Sequence, residues 1–181
     1  MVSKAKSSHS YVSPLNTAAI RKAAKNMSDG AVTAGYQGNR KEIVALLNSA
    51  LATELVCVLR YKRHYYTASG PGNMPIKDEF LQHALEEQGH ADQIAERIVQ
   101  LNGEPDFNPS NLAQRSHAEY DDSGDIKAMI KANLVAERVA IESYRQMIEK
   151  IGDTDPTTKQ MLIGIMAVEE EHADDMRDLL E

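Results

Sequence analysis

The chain has no tryptophan, two phenylalanines and one cysteine among 181 residues. A single thiol, Cys57, excludes an internal disulfide and fits a reducing, cytoplasmic setting. No apolar run stands out as long enough to cross a bilayer, so no membrane partner is expected. No apolar segment follows the basic start, as a secretory signal would require. Residues 1–28 are serine-bearing and lack acids, as in a transit peptide, but arginine is absent before Arg21. No stretch alternates apolar and polar residues as a half-buried strand does. What remains is a chain of one-domain length, able to bury a substantial core.

Charge is unevenly placed. Residues 1–41 hold seven bases against one acid, Asp29, giving +6, which leaves −13 in residues 42–181 out of a net −7. A basic arm on an acidic body suits contact with a polyanion such as DNA, or with the body of a neighbouring subunit.

Helix signals dominate the rest. Ser13-Pro14 reads as a cap followed by proline, predicting a short basic helix over about 14–28 within an extension of residues 1–39. A bundle then occupies 40–181. Its first long helix runs from Arg40 to about Ser69, and its second from about Pro75 to Asn102-Gly103. The third spans Asp125 to Ile151, with Gly152 just past its end, and the fourth runs from Asp155-Pro156 almost to Glu181. The link 103–124 is the longest between these helices and is rich in Asn, Asp, Pro and Ser, so it reads as a crossover with at most a short helix. Four long helices with one long middle connection predict an all-α bundle.

Each helix carries an apolar stripe, and each stripe is interrupted near its middle by a glutamate: Glu54, Glu87, Glu137 and Glu169. Burying four carboxylates in one layer costs several kcal/mol of hydration each, and their repulsion raises their pKa values. Two divalent cations would neutralise them. Histidines three residues on, His90 and His172, share a helix face with Glu87 and Glu169 and can grip the same ions. One glutamate from each of two helices and Glu-x-x-His from each of the others is the carboxylate di-metal pattern. The spacings repeat: Glu54 to Glu87 is 33 residues, Glu137 to Glu169 is 32, and a tyrosine follows each first glutamate by seven, Tyr61 and Tyr144. The halves read as an internal duplication. Glu170 rivals Glu169, because 33 residues from Glu137 would match the first half better, but its i+2 relation to His172 argues against it.

At these residues the sequence resembles the bacterioferritins and the Dps-like ferritins over about residues 40–180. The resemblance implies a ferritin-like four-helix bundle with two irons per subunit. Glu87 and Glu169 would bridge the irons, Glu54 with His90 would complete one, and Glu137 with His172 the other. Tyr61 falls where bacterioferritins place a tyrosine close to the di-iron site, which implies a redox or hydrogen-bonding role in catalysis. Haem is not expected, since the position of the haem-ligating methionine is Gln88. The chain stops nine residues after His172, which points to a Dps-like shell of twelve subunits rather than a larger cage. The activity so implied is ferroxidation with hydrogen peroxide or dioxygen and storage of Fe(III), protecting against oxidative stress. Its rivals are a DNA-shielding nucleoid protein acting through the basic tail and a rubrerythrin-like peroxidase without storage, for which no CxxC pair exists. His83 reads as a surface histidine, His9, His64 and His117 have no partner spacing, and Cys57 reads as a small core residue.

Overall fold

A computed structural model describes residues 14–181, so Lys4, Lys6, His9 and Ser13 of the basic arm lie outside the described residues. Two compact units are present, one ending at Gly35 and the other spanning Tyr36–Glu181. In the first unit, helix α1 covers Thr17–Ala23, shorter than the expected 14–28. Its cap is Asn16, whose side chain accepts from Ala19 N at 3.1 Å. The Asn26 side chain then accepts from Ser28 N and donates to Asp29, turning the chain away. With no buried residue, α1 has no tertiary packing to lengthen it, and seven residues are marginal alone.

The second unit is built from two helix pairs. Helix α2 (Arg40–Thr67) packs chiefly on α3 (Met74–Gln100), and α5 (Ile126–Ile151) on α6 (Pro156–Asp178). Contacts between α2 and α5 and between α3 and α6 close the bundle. Asp155 caps α6 as expected, accepting from Thr158 N, and Asp125, at the expected start of α5, accepts from Ala128 N. Gly152 ends α5 with φ of 56°, a left-handed value that favours glycine. Gly103, just past α3, is needed for closeness instead, since a Cβ there would lie 2.7 Å from Val44 Cγ1.

The crossover carries a 3-10 turn (Pro109–Asn111) and a one-turn helix α4 (Leu112–Arg115). It runs beside α2 in the same direction. Asn48 meets Glu104 O and Asp106 N, Thr53 accepts from His117 N, Arg60 donates to Glu119 O, and Arg63 to Asp122 O. Its backbone polar groups are thereby matched by α2 side chains.

Two expectations need correction. Helix α2 does contain a stretch long and apolar enough by composition to span a bilayer, contrary to the reading that none exists. More than half of it is buried, and its apolar side chains, Leu47, Leu51, Val56 and Val58 among them, face the bundle together with Glu54. On α5 the buried side is broader than the stripe expected from the sequence, Ile130, Leu134, Glu137, Ile141, Tyr144, Ile148 and Ile151: Ala140 and Met147 are buried where Ile141 and Ile148 are half-buried. Both α2 and α6 cover that helix, so one narrow seam does not describe it.

Candidate metal centre

All four mid-stripe glutamates are inward. Glu54, Glu87, Glu137 and Glu169 are each 0–1% exposed, and His90 and His172 are 5% and 1%. Glu170, the rival of Glu169 in the sequence, is exposed and lies 3.7 Å from Arg145. The six side chains form two overlapping donor groups, each drawn together within 4.8 Å. One is Glu54, Glu87, His90 and Glu169; the other is Glu87, Glu137, Glu169 and His172. Glu87 and Glu169 belong to both, as a pair of bridging carboxylates must.

The distances describe a layer with more acceptors than donors. His90 Nδ1 is 2.9 Å from Glu169 Oε1, 3.3 Å from Glu87 Oε2 and 3.4 Å from Glu54 Oε2. One ring N–H can satisfy one of these three oxygens. His172 Nδ1 is 3.8 Å from Glu87 Oε1 and 3.7 Å from Glu169 Oε2. Glu54 Oε2, Glu87 Oε1, Glu137 Oε2, both Glu169 oxygens and His172 Nδ1 are buried without a hydrogen-bond partner. Buried polar atoms are normally paired, and six orphans converging on one layer are what a pair of cations would satisfy. Carboxylate oxygen with imidazole nitrogen suits iron, manganese or zinc. The residues therefore fit a dinuclear metal group.

Without metal, the electrostatics show the same deficit of positive charge. Burial pushes the Glu87 pKa well up, and the charges of Glu169, Glu54 and Glu137 push it further. Burial and Glu169 raise Glu137 to about 8, against the opposing pull of Arg60. Burial would raise Glu169 too, but contacts from His172 and His90 outweigh it and hold it at about 2. Burial would lower both histidines, yet the surrounding carboxylates carry His90 to about 10 and His172 to about 9.

The tyrosines are exchanged between halves. Tyr61 of α2 donates to Glu137 of α5, and Tyr144 of α5 donates to Glu54 of α2. This reciprocity is what the duplicated spacing anticipates. Burial raises both phenol pKa values, so both stay protonated donors. Cys57 is buried, its thiol pKa pushed up by burial, and it is a core residue as expected.

Several neighbours were not visible in the sequence. His83 is buried, not on the surface: its ring stacks on His172 with centroids 3.9 Å apart, and its Nδ1 is 3.1 Å from the Tyr61 hydroxyl. Glu86 Oε2 lies 2.7 Å from His172 Nε2 and fixes that ring from behind, leaving Nδ1 aimed at the centre. Beside Glu137, fully buried Arg60 approaches to 3.9 Å and donates to Asn133 Oδ1 at 2.8 Å. Asn133 Nδ2 donates to His64 Nδ1, and His64 Nε2 donates to Asp121. The His64 ring is thus held at both nitrogens, and the His117 ring Nδ1 lies 3.3 Å from the Thr53 hydroxyl, pairings that no spacing in the sequence shows. Glu86 sits directly before a seam glutamate, the one local cue available. Arg60 and Asn133 carry no motif.

The sequence profile of the ferritin-like domain matches residues 44–181. Among curated proteins, a nutrient stress-induced DNA-binding protein from Synechococcus is 28% identical over 70% of this chain and 74% of its own. A bacterioferritin from Brucella melitensis is 29% identical over 74% of this chain and 79% of its own. Among solved structures, a dodecameric thioferritin, the bacterioferritin-related protein of Bacteroides fragilis, superposes with a TM-score of 0.76 at 30% identity, covering 80% of this chain and 87% of that one. Dps from Thermosynechococcus elongatus, at 21% identity and a TM-score of 0.74, has the same fold. A family profile spanning three-quarters of the chain, laid over a bundle whose acids converge at its middle, places this protein in the ferritin-like family.

Proposed function

We propose that this protein is a ferroxidase that oxidises Fe(II) at an intrasubunit di-iron site and stores the product within a hollow shell of its own copies. One observation carries the reading: two donor groups share Glu87 and Glu169, and five of their carboxylate oxygens are buried without a hydrogen-bond partner. The two ferrous ions are the substrate. Each gives up one electron, and hydrogen peroxide with two protons becomes two waters; dioxygen is the alternative acceptor. The protein's part is positional. Glu54 with His90, and Glu137 with His172, hold one ion each, while Glu87 and Glu169 span the pair. Tyr61 and Tyr144 each fix a terminal carboxylate by hydrogen bonding. Tyr61 also touches His83, which gives it the stronger link to proton or electron movement. Metal entry displaces the protons held by Glu87, Glu137 and the two histidines, leaving carboxylates and neutral imidazoles as donors.

Relatives named bacterioferritin and a dodecameric structural neighbour support storage in a closed shell, with twelve subunits as the proposed number. The acidic surplus of residues 42–181 favours accumulation of cations. Gln88 in place of a methionine supports a haem-free protein. Glu87→Ala should abolish rapid Fe(II) oxidation, followed by ferric absorbance, and an unchanged rate refutes the assignment. Native mass with iron per subunit tests storage: a large shell with many irons supports it, and a small oligomer with two favours a peroxidase.

A second reading has its own support. Relatives are named as DNA-binding and as DNA protection during starvation proteins, and residues 1–41 carry +6. DNA shielding by this arm predicts a gel shift that weakens steeply with salt and disappears on deleting residues 1–30.

A further inference from the structure

We infer that Arg60 is a specificity-determining residue of the buried centre: its fixed positive charge favours divalent ions over trivalent ones, so that oxidised iron is expelled rather than kept. The side chain is 0% exposed, and all three of its nitrogens are tied down. Nε donates to Asn133 Oδ1 at 2.8 Å, Nη1 to Glu119 O at 3.2 Å and Nη2 to Cys57 Sγ at 3.4 Å. The Asn133 amide and the Glu119 carbonyl carry no charge, and burial keeps the Cys57 thiol protonated. These partners fix the guanidinium without neutralising it, and arginine does not give up its proton in proteins.

A buried charge is normally paired with an opposite one. Among the described residues, the carboxylate closest to pairing with Arg60 is Glu137, at 3.9 Å, and the oxygen concerned already accepts from Tyr61. The other oxygen, Oε2, is buried without a partner, and Glu137 is one of the donors of the second group. Glu137 therefore stands between the guanidinium and any ion it holds.

Charge counting gives the consequence. Glu54, Glu87, Glu137 and Glu169 as carboxylates cancel two divalent ions, and Arg60 is the charge left over. Each change from a divalent to a trivalent ion adds another charge of the same sign. Across roughly 8 Å at an effective dielectric constant of about 20, that repulsion costs roughly thirtyfold in affinity. A hydroxide bound with the trivalent ion offsets part of this, leaving about tenfold. An ion that enters as Fe(II) and is oxidised in place thus becomes ill-matched to its surroundings, and the next Fe(II) is preferred. The expulsion of product rests on the ferroxidase reading; the preference for divalent ions does not.

The test compares two redox-inert ions on the full-length, metal-free protein: Zn(II), and Ga(III) supplied as its nitrilotriacetate complex. By competition calorimetry, the ratio of Ga(III) to Zn(II) affinity should rise about tenfold in Arg60→Met. Arg60→Lys keeps the charge and should keep the wild-type ratio. Arg60→Gln, a second neutral variant that retains a donor for Glu119 O, should behave as Arg60→Met does and serves if that variant does not fold. An unchanged ratio in the neutral variants overturns the role of Arg60, as does a ratio in Arg60→Lys that matches theirs. Zn(II) binding that is as strong in Glu87→Ala as in wild type overturns the buried centre itself, and the role of Arg60 with it. After oxidation of two Fe(II) per chain, the wild-type centre should become free to bind Zn(II) again, and the Arg60→Met centre should stay blocked about tenfold longer. Equal recovery, with the affinity ratio shifted, overturns the expulsion of product and leaves the preference for divalent ions standing.

Discussion

Glu87 is the residue at which the metal argument can be tested by stability rather than by activity. In the metal-free protein it is buried, one of its oxygens has no partner, and it sits among three other carboxylates. Glu87→Leu removes that group while keeping volume, and His90 keeps Glu169 and Glu54 as neighbours. Replacing buried ionic groups by apolar ones of similar size is often stabilising by about 1–4 kcal/mol. At roughly 2–4 °C per kcal/mol for a chain of this length, the metal-free melting temperature should rise by roughly 2–15 °C. With Zn(II), which is redox-inert, the order inverts. Two ions at a hundredfold excess over their dissociation constants contribute about 5 kcal/mol to the wild type, or roughly 10–20 °C. The variant lacks a donor shared by both groups and should gain far less. Thermal melts with chelator and with Zn(II), at one protein concentration, read both signs. A variant that melts lower without metal, or that gains as much as wild type with it, would refute the claim that these acids are tolerated because cations lie between them.

Tyr61→Phe and Tyr144→Phe each leave a buried glutamate without its donor, which costs about 1–3 kcal/mol in the metal-free protein. Fe(II) oxidation should slow more for Tyr61→Phe, because that hydroxyl also meets His83; equal rates in the two variants would remove its redox role. Loading two divalent ions at pH 7 should release up to four protons per chain, from Glu87, Glu137, His90 and His172, with affinity falling as pH drops. An indicator dye in weak buffer reads this, and proton-free binding contradicts it. Asp155→Ala loses the α6 cap and the hydrogen bonds from Arg97, Thr158 and Tyr36, so about 3–5 kcal/mol should disappear in denaturant melts. Burial would raise the Asp155 pKa, but those hydrogen bonds hold it below the usual range. Its contribution is present above the ordinary carboxylate pKa and lost as pH falls through the lowered one, so wild type and Asp155→Asn should converge in acid.

The sequence disclosed what local spacing can encode. The four long helices, the Asp155 cap and the inward turn of the six residues follow from period, from cap-plus-proline and from Glu-x-x-His. The α1 cap was misplaced because a serine before proline and an asparagine two residues after it are equally good signals, and no buried face decides between them. His83 was read as a surface residue because nothing in its own turn shows that His172 and Tyr61 will cover it from two other helices. Arg60 and Asn133 were missed for the same reason: each looks ordinary until the crossover laid along α2 shuts out water. Contacts between elements, rather than within them, were what the one-dimensional pattern withheld.

The buried guanidinium breaks a symmetry that the duplicated sequence suggests. Tyrosines are swapped evenly between the halves, but Arg60 stands 3.9 Å from Glu137, and its counterpart in the other half, six residues after Glu137 as Arg60 is six after Glu54, is Ser143. A fixed positive charge competes with any ion sharing that carboxylate, while the Glu54 end has no such competitor among the described residues. If two ions bind as proposed, their seats are unequal: the Glu54–His90 seat should fill first, and the second ion should enter a pocket already partly neutralised. Loading should be stepwise, with a singly filled form of appreciable lifetime.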